Sequence, residues 1–144
     1  MVEKIFSDQT LDILKKALDA ASLRHQVLSD NIANVNTPGF KRSDVIFQQE
    51  LKAALTGSQD TLPLTTTHPG HIQIPSKTPL DDVQPRIIMQ NDTVSRNDLN
   101  NVDIDVEMSK LAENTILYSA LAQITKLKLN TLKSAISGGT GGGA

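Results

Sequence analysis

Neither proline nor glycine occurs from residue 8 to 37 or from 103 to 136, and both stretches repeat apolar residues at alternating steps of three and four. That spacing opens an uninterrupted helix to each stretch, and the two lie at opposite ends of the chain. In the first, Leu11, Leu14, Leu18, Ala21, His25, Leu28, Ile32 and Val35 form a heptad seam with a single polar member. Asp8 suits the N-cap, and Thr37-Pro38-Gly39 turns the chain out of the helix near Asn36. The predicted helix has about 27 residues and is roughly 40 Å long at 1.5 Å per residue. His25 at a seam position reads as a register or packing residue, since no recognisable triad, G-x-S-x-G or H-E-x-x-H pattern surrounds it.

In the second stretch, Ile104, Met108, Leu111, Thr115, Tyr118, Ala122, Thr125, Leu129, Leu132 and Ile136 repeat the spacing, and Leu117, Leu121 and Ile124 form a second row beside it. Asp103, Asp105 and Glu107 gather at its start and Lys126, Lys128 and Lys133 at its end, as the helix macrodipole prefers. The apolar face is wider than a two-stranded coiled coil needs, which predicts contact with more than one neighbouring helix. The expected fold is therefore mainly α. Two long terminal helices pair as a coiled coil or helical bundle, and a mostly extended, Pro-rich middle with weak β character joins them.

Punctuation divides the rest. Residues 1–40 carry the first helix and an Asn-rich turn, 41–102 the crossing, 103–136 the second helix, and 137–144 a Gly-rich tail with the composition of a flexible linker. Within the crossing, a short helix is expected around residues 47–55, and 62–66, 71–74 and 86–89 can extend. Five of the six prolines fall between Pro63 and Pro85 and keep any sheet small or edge-like.

Composition removes whole classes of chemistry. With no Cys there are no disulfides, thiolate nucleophiles, Cys-based zinc sites or iron–sulfur clusters. Three Phe, one Tyr and no Trp leave few rings for a core, so the chain builds one from aliphatic residues or borrows it from a partner. A formal charge of −2 offers no general attraction to nucleic acid or anionic lipid. No apolar run approaches the roughly 18 residues of a membrane span, and the start lacks a signal-peptide block, so neither membrane insertion nor Sec-type exit is expected. His68-Pro69-Gly70-His71 with Asp81 is a formal metal-ligand set, but it sits on a Pro-Gly turn and reads as a surface loop. No cofactor, metal or catalytic residue is expected.

Asn31, Asn34 and Asn36 precede Pro38-Gly39, placing three poor helix formers in the last turns of a strong helix. Two readings stand side by side: the amides satisfy backbone groups of their own turn, or they bond across to the same row on neighbouring subunits.

The run Ser29-Asp30-Asn31-Ile32-Ala33-Asn34-Val35-Asn36-Thr37-Pro38-Gly39-Phe40-Lys41 resembles the N-terminal signature of bacterial flagellar axial proteins, the rod and hook subunits. Asn101-Val102-Asp103, Glu107-Met108, Leu111-Ala112-Glu113-Asn114 and Tyr118 resemble the matching C-terminal helix. Together these cover about half the chain in the family's order. The short middle and the continuation from Arg42 to Phe47 resemble a basal-body rod protein of the proximal rod, of one of two related types. The second type carries Tyr-Glu-Ala-Asn where Tyr118-Ser119-Ala120-Leu121 stands here.

The resemblance implies a structural subunit of the periplasm-spanning rod, needed for motility, that packs helically with copies of itself and other rod subunits upon MS-ring or rod-base components. It also implies unfolded export, without a cleaved signal peptide, through the flagellar type III apparatus. On that reading Leu11, Leu14, Leu18, Leu28, Ile32, Met108, Leu111, Tyr118, Leu129 and Leu132 form the assembly seam, and Asn31, Asn34, Asn36, Pro38 and Gly39 the signature turn. Phe47 and Leu51 resemble the Phe-x-x-x-hydrophobic pattern by which such substrates engage the export gate; positions four apart also simply share a helix face. The competing class, a non-flagellar helical-hairpin adaptor, is compatible with the seams alone.

Overall fold

The computed structural model describes residues 9–56, 80–91 and 98–138. The proposed Asp8 cap, the 62–66 and 71–74 segments, the His68/His71 turn and the tail beyond residue 138 lie outside these. The order of elements is α1 (Gln9–Ala33), β1 (Ser43–Ile46), α2 (Gln48–Thr56), a single 3₁₀ turn (Leu80–Asp82), β2 (Arg86–Met89) and α3 (Ile104–Gly138). The chain is mainly helical, and its two long terminal helices pack on each other. Glu107 of α3 meets Asn31 of α1, and Asn114 meets Ala21, so the pair is antiparallel. Among the described residues no helix is long and apolar enough to cross a membrane.

Local chemistry sets the ends of these helices. Asp103 caps α3: its Oδ1 accepts from the N–H groups of Asp105 at 3.0 Å and Val106 at 3.4 Å, two of the donors a helix start leaves unpaired. At the far end of α1 the turns tighten, with Val35 N donating to Ile32 O and Thr37 N to Asn34 O. The chain then reverses at Gly39, whose φ of +73° suits a residue without Cβ.

The extended middle is an antiparallel two-stranded ribbon pairing Ser43 with Met89 and Ile46 with Arg86. β2 is the expected 86–89 segment. β1 was not foreseen, because four residues with only Val45 and Ile46 apolar carry little strand signal. α1 lies against β1, and the Arg24 Nη2 donates to Val45 O at 2.8 Å while Lys16 Nζ donates to Val83 O at 3.0 Å. Beside them Phe47, Ala20 and Val83 form the buried cluster, with Ala17, Leu51 and Ala54 packed around it. One of the four rings thus anchors the small core where α1, α2 and the 3₁₀ turn meet.

Two details differ from the seam as read from spacing. His25 is exposed, whereas Leu14, Ala20, Ala21, Val27, Leu28 and Asn31 are buried. The ribbon and α2 cover a second flank of α1, which pulls its buried stripe away from His25 and toward Ala20 and Val27. In α3 the row facing α1 is Glu107, Asn114, Leu117 and Leu121, with Leu111, Thr125 and Leu132 half-buried, while Ile104, Met108, Tyr118, Leu129 and Ile136 are exposed. α3 thus turns the boundary between its two apolar rows toward α1, and neither row as a whole. A helix with apolar residues on several faces has no single phase in its hydrophobic pattern, and here two polar anchors set the rotation.

Candidate functional site

Where the end of α1 meets the start of α3, the chain builds a clasp from side-chain amides and one carboxylate. Asn31, 1% exposed, donates from Nδ2 to Ser43 O and to Glu107 Oε2, both at 2.8 Å, and its Oδ1 accepts from Ser43 N at 3.0 Å. One side chain thus joins α1, the ribbon and α3. Glu107 is 0% exposed. Its Oε1 has no hydrogen bond but lies 3.6 Å from Arg42 Nε and 3.5 Å from Lys110 Nζ, so two cations face the buried charge. Arg42 Nη2 also reaches Asp44 Oδ2 at 3.3 Å. A carboxylate buried this deeply is tolerated only when paired and hydrogen-bonded.

The segment before α3 completes the clasp. Asn100 Nδ2 lies 3.0, 3.1 and 2.9 Å from the carbonyls of Asn34, Val35 and Thr37, and its Oδ1 accepts from Val102 N at 2.7 Å. Those carbonyls belong to the turn that follows α1, where Asn34 O also accepts from Thr37 N and Thr37 O from Phe40 N. Asn101 accepts from Arg42 N at 2.7 Å and donates to Gln90 O at 2.6 Å, binding the approach to α3 to both strands. Gly39 N donates to Asp98 O at 2.9 Å, and Lys41 Nζ to Leu99 O at 2.7 Å. Leu99 itself adopts φ +65°, a left-handed conformation costing a side-chain-bearing residue about 1–2 kcal/mol. The bonds on either side of Leu99 hold it there.

The two readings of the asparagine row now separate. Asn31 is used entirely within the chain. Asn34 donates to Asp30 O at 2.8 Å and accepts from Thr37 Oγ1 at 3.2 Å. Asn36 and Pro38 are exposed at the tip beside Gly39. Asn100 escaped the sequence reading, and Asn101 entered it only as part of the C-terminal resemblance; their signal is an Asn pair directly before a capped helix, opposite a turn full of carbonyls.

Of the seam residues, Leu14 and Leu28 are buried; Leu11, Leu18, Ile32, Leu111 and Leu132 are half-buried; Met108, Tyr118 and Leu129 are exposed. Phe47 is 4% exposed and Leu51 half-buried, so this pair sits in the core. Among the described residues no group of His, Asp and Glu is placed to hold a metal ion. The arrangement fixes the end of α1 to the start of α3.

A protein-family profile described as "Flagella basal body rod protein" matches residues 11–41, the whole of α1 beyond Gln9 and Thr10 together with the clasped turn. Over greater lengths the chain is similar to flagellar basal body rod protein FlgB of Borreliella burgdorferi, 36% identical over 118 residues covering 81% of this chain and 87% of that protein. It is 34% identical to the FlgB of Bacillus subtilis over 130 residues, covering 90% and 95% of the two chains. With the Escherichia coli FlgB it shares 34% identity over 142 residues, covering 93% and 99%. The chain belongs to the family of the flagellar basal body rod protein FlgB. Of the two proximal-rod types, these relatives carry the FlgB name rather than that of FlgC.

Proposed function

We propose that the chain is a structural subunit of the proximal rod in the bacterial flagellar basal body, assembled through its two terminal helices, and that it catalyses no reaction. The observation that carries this reading is the outer surface of α3. Held in place by the clasp, α3 leaves Met108, Tyr118, Leu129, Ile116 and Leu127 exposed, at 51, 45, 52, 72 and 66%. A helix apolar around most of its circumference is normally buried by neighbours. Copies of the chain and other rod subunits supply those neighbours, and MS-ring or rod-base components bound the assembly at its base. The site of action is the rod where it crosses the periplasm, reached without a cleaved signal peptide. Basal bodies purified from cells that make the chain are expected to contain it, and deletion of its gene to abolish flagella. Basal bodies of normal composition without the chain would end this reading.

Export adds a second part to the proposal. Phe47 and Leu51 are taken to engage the gate of the flagellar type III apparatus, and in the folded chain Phe47 is packed against Ala20 and Val83. Recognition therefore requires the unfolded chain, in keeping with a subunit threaded through a narrow channel. Phe47→Ala is expected to lower secretion sharply and to cost the folded monomer about 3–5 kcal/mol. Val83→Ala removes a partner from the same cluster without touching the pattern and is expected to secrete normally. Secretion of Phe47→Ala at the level of the unmodified chain would remove the export role of this pair.

A further inference from the structure

The two edges of the ribbon are finished differently. Gln90 N donates to Arg42 O at 2.9 Å, so the hydrogen-bonded pairs of the antiparallel ladder are Arg42 with Gln90, Asp44 with Ile88 and Ile46 with Arg86, and the backbone groups of Ser43, Val45, Ile87 and Met89 point outward. On the β1 side they are taken, Ser43 N and O by Asn31, Val45 N by Asp44 and Val45 O by Arg24. On the β2 side the N–H and C=O groups of Ile87 and Met89 have no partner among the described residues. The side chains there are bare as well, with Ile87, Ile88 and Met89 53, 37 and 62% exposed. An open apolar edge without Pro or a bulge recruits a further strand, and two strands alone are only marginally stable in water.

We infer that residues 71–74 of the same chain add to this edge as a third, antiparallel strand and close the ribbon on its open side. His71-Ile72-Gln73-Ile74 is, between Thr56 and Leu80, the one four-residue run free of Pro and Gly in which apolar and polar residues alternate. Ile74 stands directly before Pro75, which biases its backbone toward the extended conformation, and Pro75, Pro79 and Pro85 all fall outside the two pairing segments. Tether length selects this occupant over a strand from elsewhere. Only residues 75–79 separate Ile74 from Leu80, a reach of at most about 18 Å. Val83 N in turn bonds Leu80 O at 3.3 Å, three residues before β2 begins. The segment therefore meets the edge at an effective concentration on the order of millimolar, which a free partner does not match. Alternation then fixes the register. With Ile74 opposite Ile87 and Ile72 opposite Met89, all four share the face that carries Val45, whereas a slip of one residue brings Gln73 there.

The chain contains no Cys, so paired thiols report the register directly. In the isolated full chain, Gln73→Cys with Ile88→Cys, facing positions in this register, is expected to form an intramolecular disulfide in oxidised glutathione. Ile72→Cys with Ile88→Cys, one residue out, is expected to form far less of it. Equal yields from the two pairs, or bonds only between chains, would overturn the proposal. Hydrogen exchange supplies the second reading. The amides of Ile87 and Met89 are expected to exchange at least about tenfold more slowly than in an unstructured peptide, at a rate independent of protein concentration. Ile72→Pro removes the donor to Met89 O and is expected to restore fast exchange at both, while the amides of α1 stay protected. Protection unchanged in Ile72→Pro, or protection that rises with protein concentration as when a second copy covers the edge, would equally overturn the proposal. Should Ile72→Pro fail to fold, the thiol pairs decide alone.

Discussion

Glu107→Ala is expected to cost the folded monomer about 3–5 kcal/mol, the range found when one partner of a buried ion pair is removed. The loss is measurable as a lower urea midpoint with an unchanged slope. Alanine leaves Arg42, whose side chain is only 16% exposed, and Lys110 without the carboxylate they face, and strips one acceptor from Asn31. Asn31→Ala removes the other end of that bond and leaves Ser43 N and O without their partner, for about 1–3 kcal/mol. Because the two residues share a hydrogen bond, the double variant is expected to lose less than the sum of the singles, by about 1 kcal/mol. Strict additivity would mean that the clasp does not act as a unit. Were Glu107→Ala to unfold the chain completely, Glu107→Gln, which retains the shape and one acceptor, would still report the coupling.

How far the sequence alone reached depended on which force fixed each feature. The two long helices were readable because freedom from Pro and Gly, a 3/4 apolar rhythm and charged ends all point the same way over more than thirty residues of α3. The rotation of α3 was not readable. Glu107 and Asn114 look like solvent-facing residues in a periodic pattern, and only the groups opposite them, Asn31 and the Ala21 carbonyl, turn them inward. His25 illustrates the same limit from the other helix: the ribbon that shifts α1's buried stripe is held by β1, a four-residue strand with almost no signal of its own. The clasp was half visible. Its α1 side stands out as an asparagine run before Pro-Gly, whereas Asn100 and Asn101 acquire meaning only once α3 folds back beside that turn.

The same distinction between inward and outward faces gives the second large effect. Leu28 is 2% exposed between α1 and its neighbours, while Leu129 is 52% exposed on the outer side of α3. Leu28→Asp buries a carboxylate in an apolar contact, several kcal/mol against a total stability of about 5–15 kcal/mol. The expected result is loss of cooperative unfolding in the isolated chain. Leu129→Asp changes a surface position and is expected to alter monomer stability by no more than about 0.5 kcal/mol. Its effect appears only in the assembly, where the carboxylate would be buried against another subunit.

The sharpest measurement is therefore the amount of Leu129→Asp chain in basal bodies purified from cells that make only this variant, set beside the urea unfolding curve of the isolated variant. An unchanged unfolding curve, basal bodies without the chain, and cells that do not swim are expected. Motile cells whose basal bodies contain the variant at the normal level would show that the outer face of α3 is not where the subunit joins its neighbours.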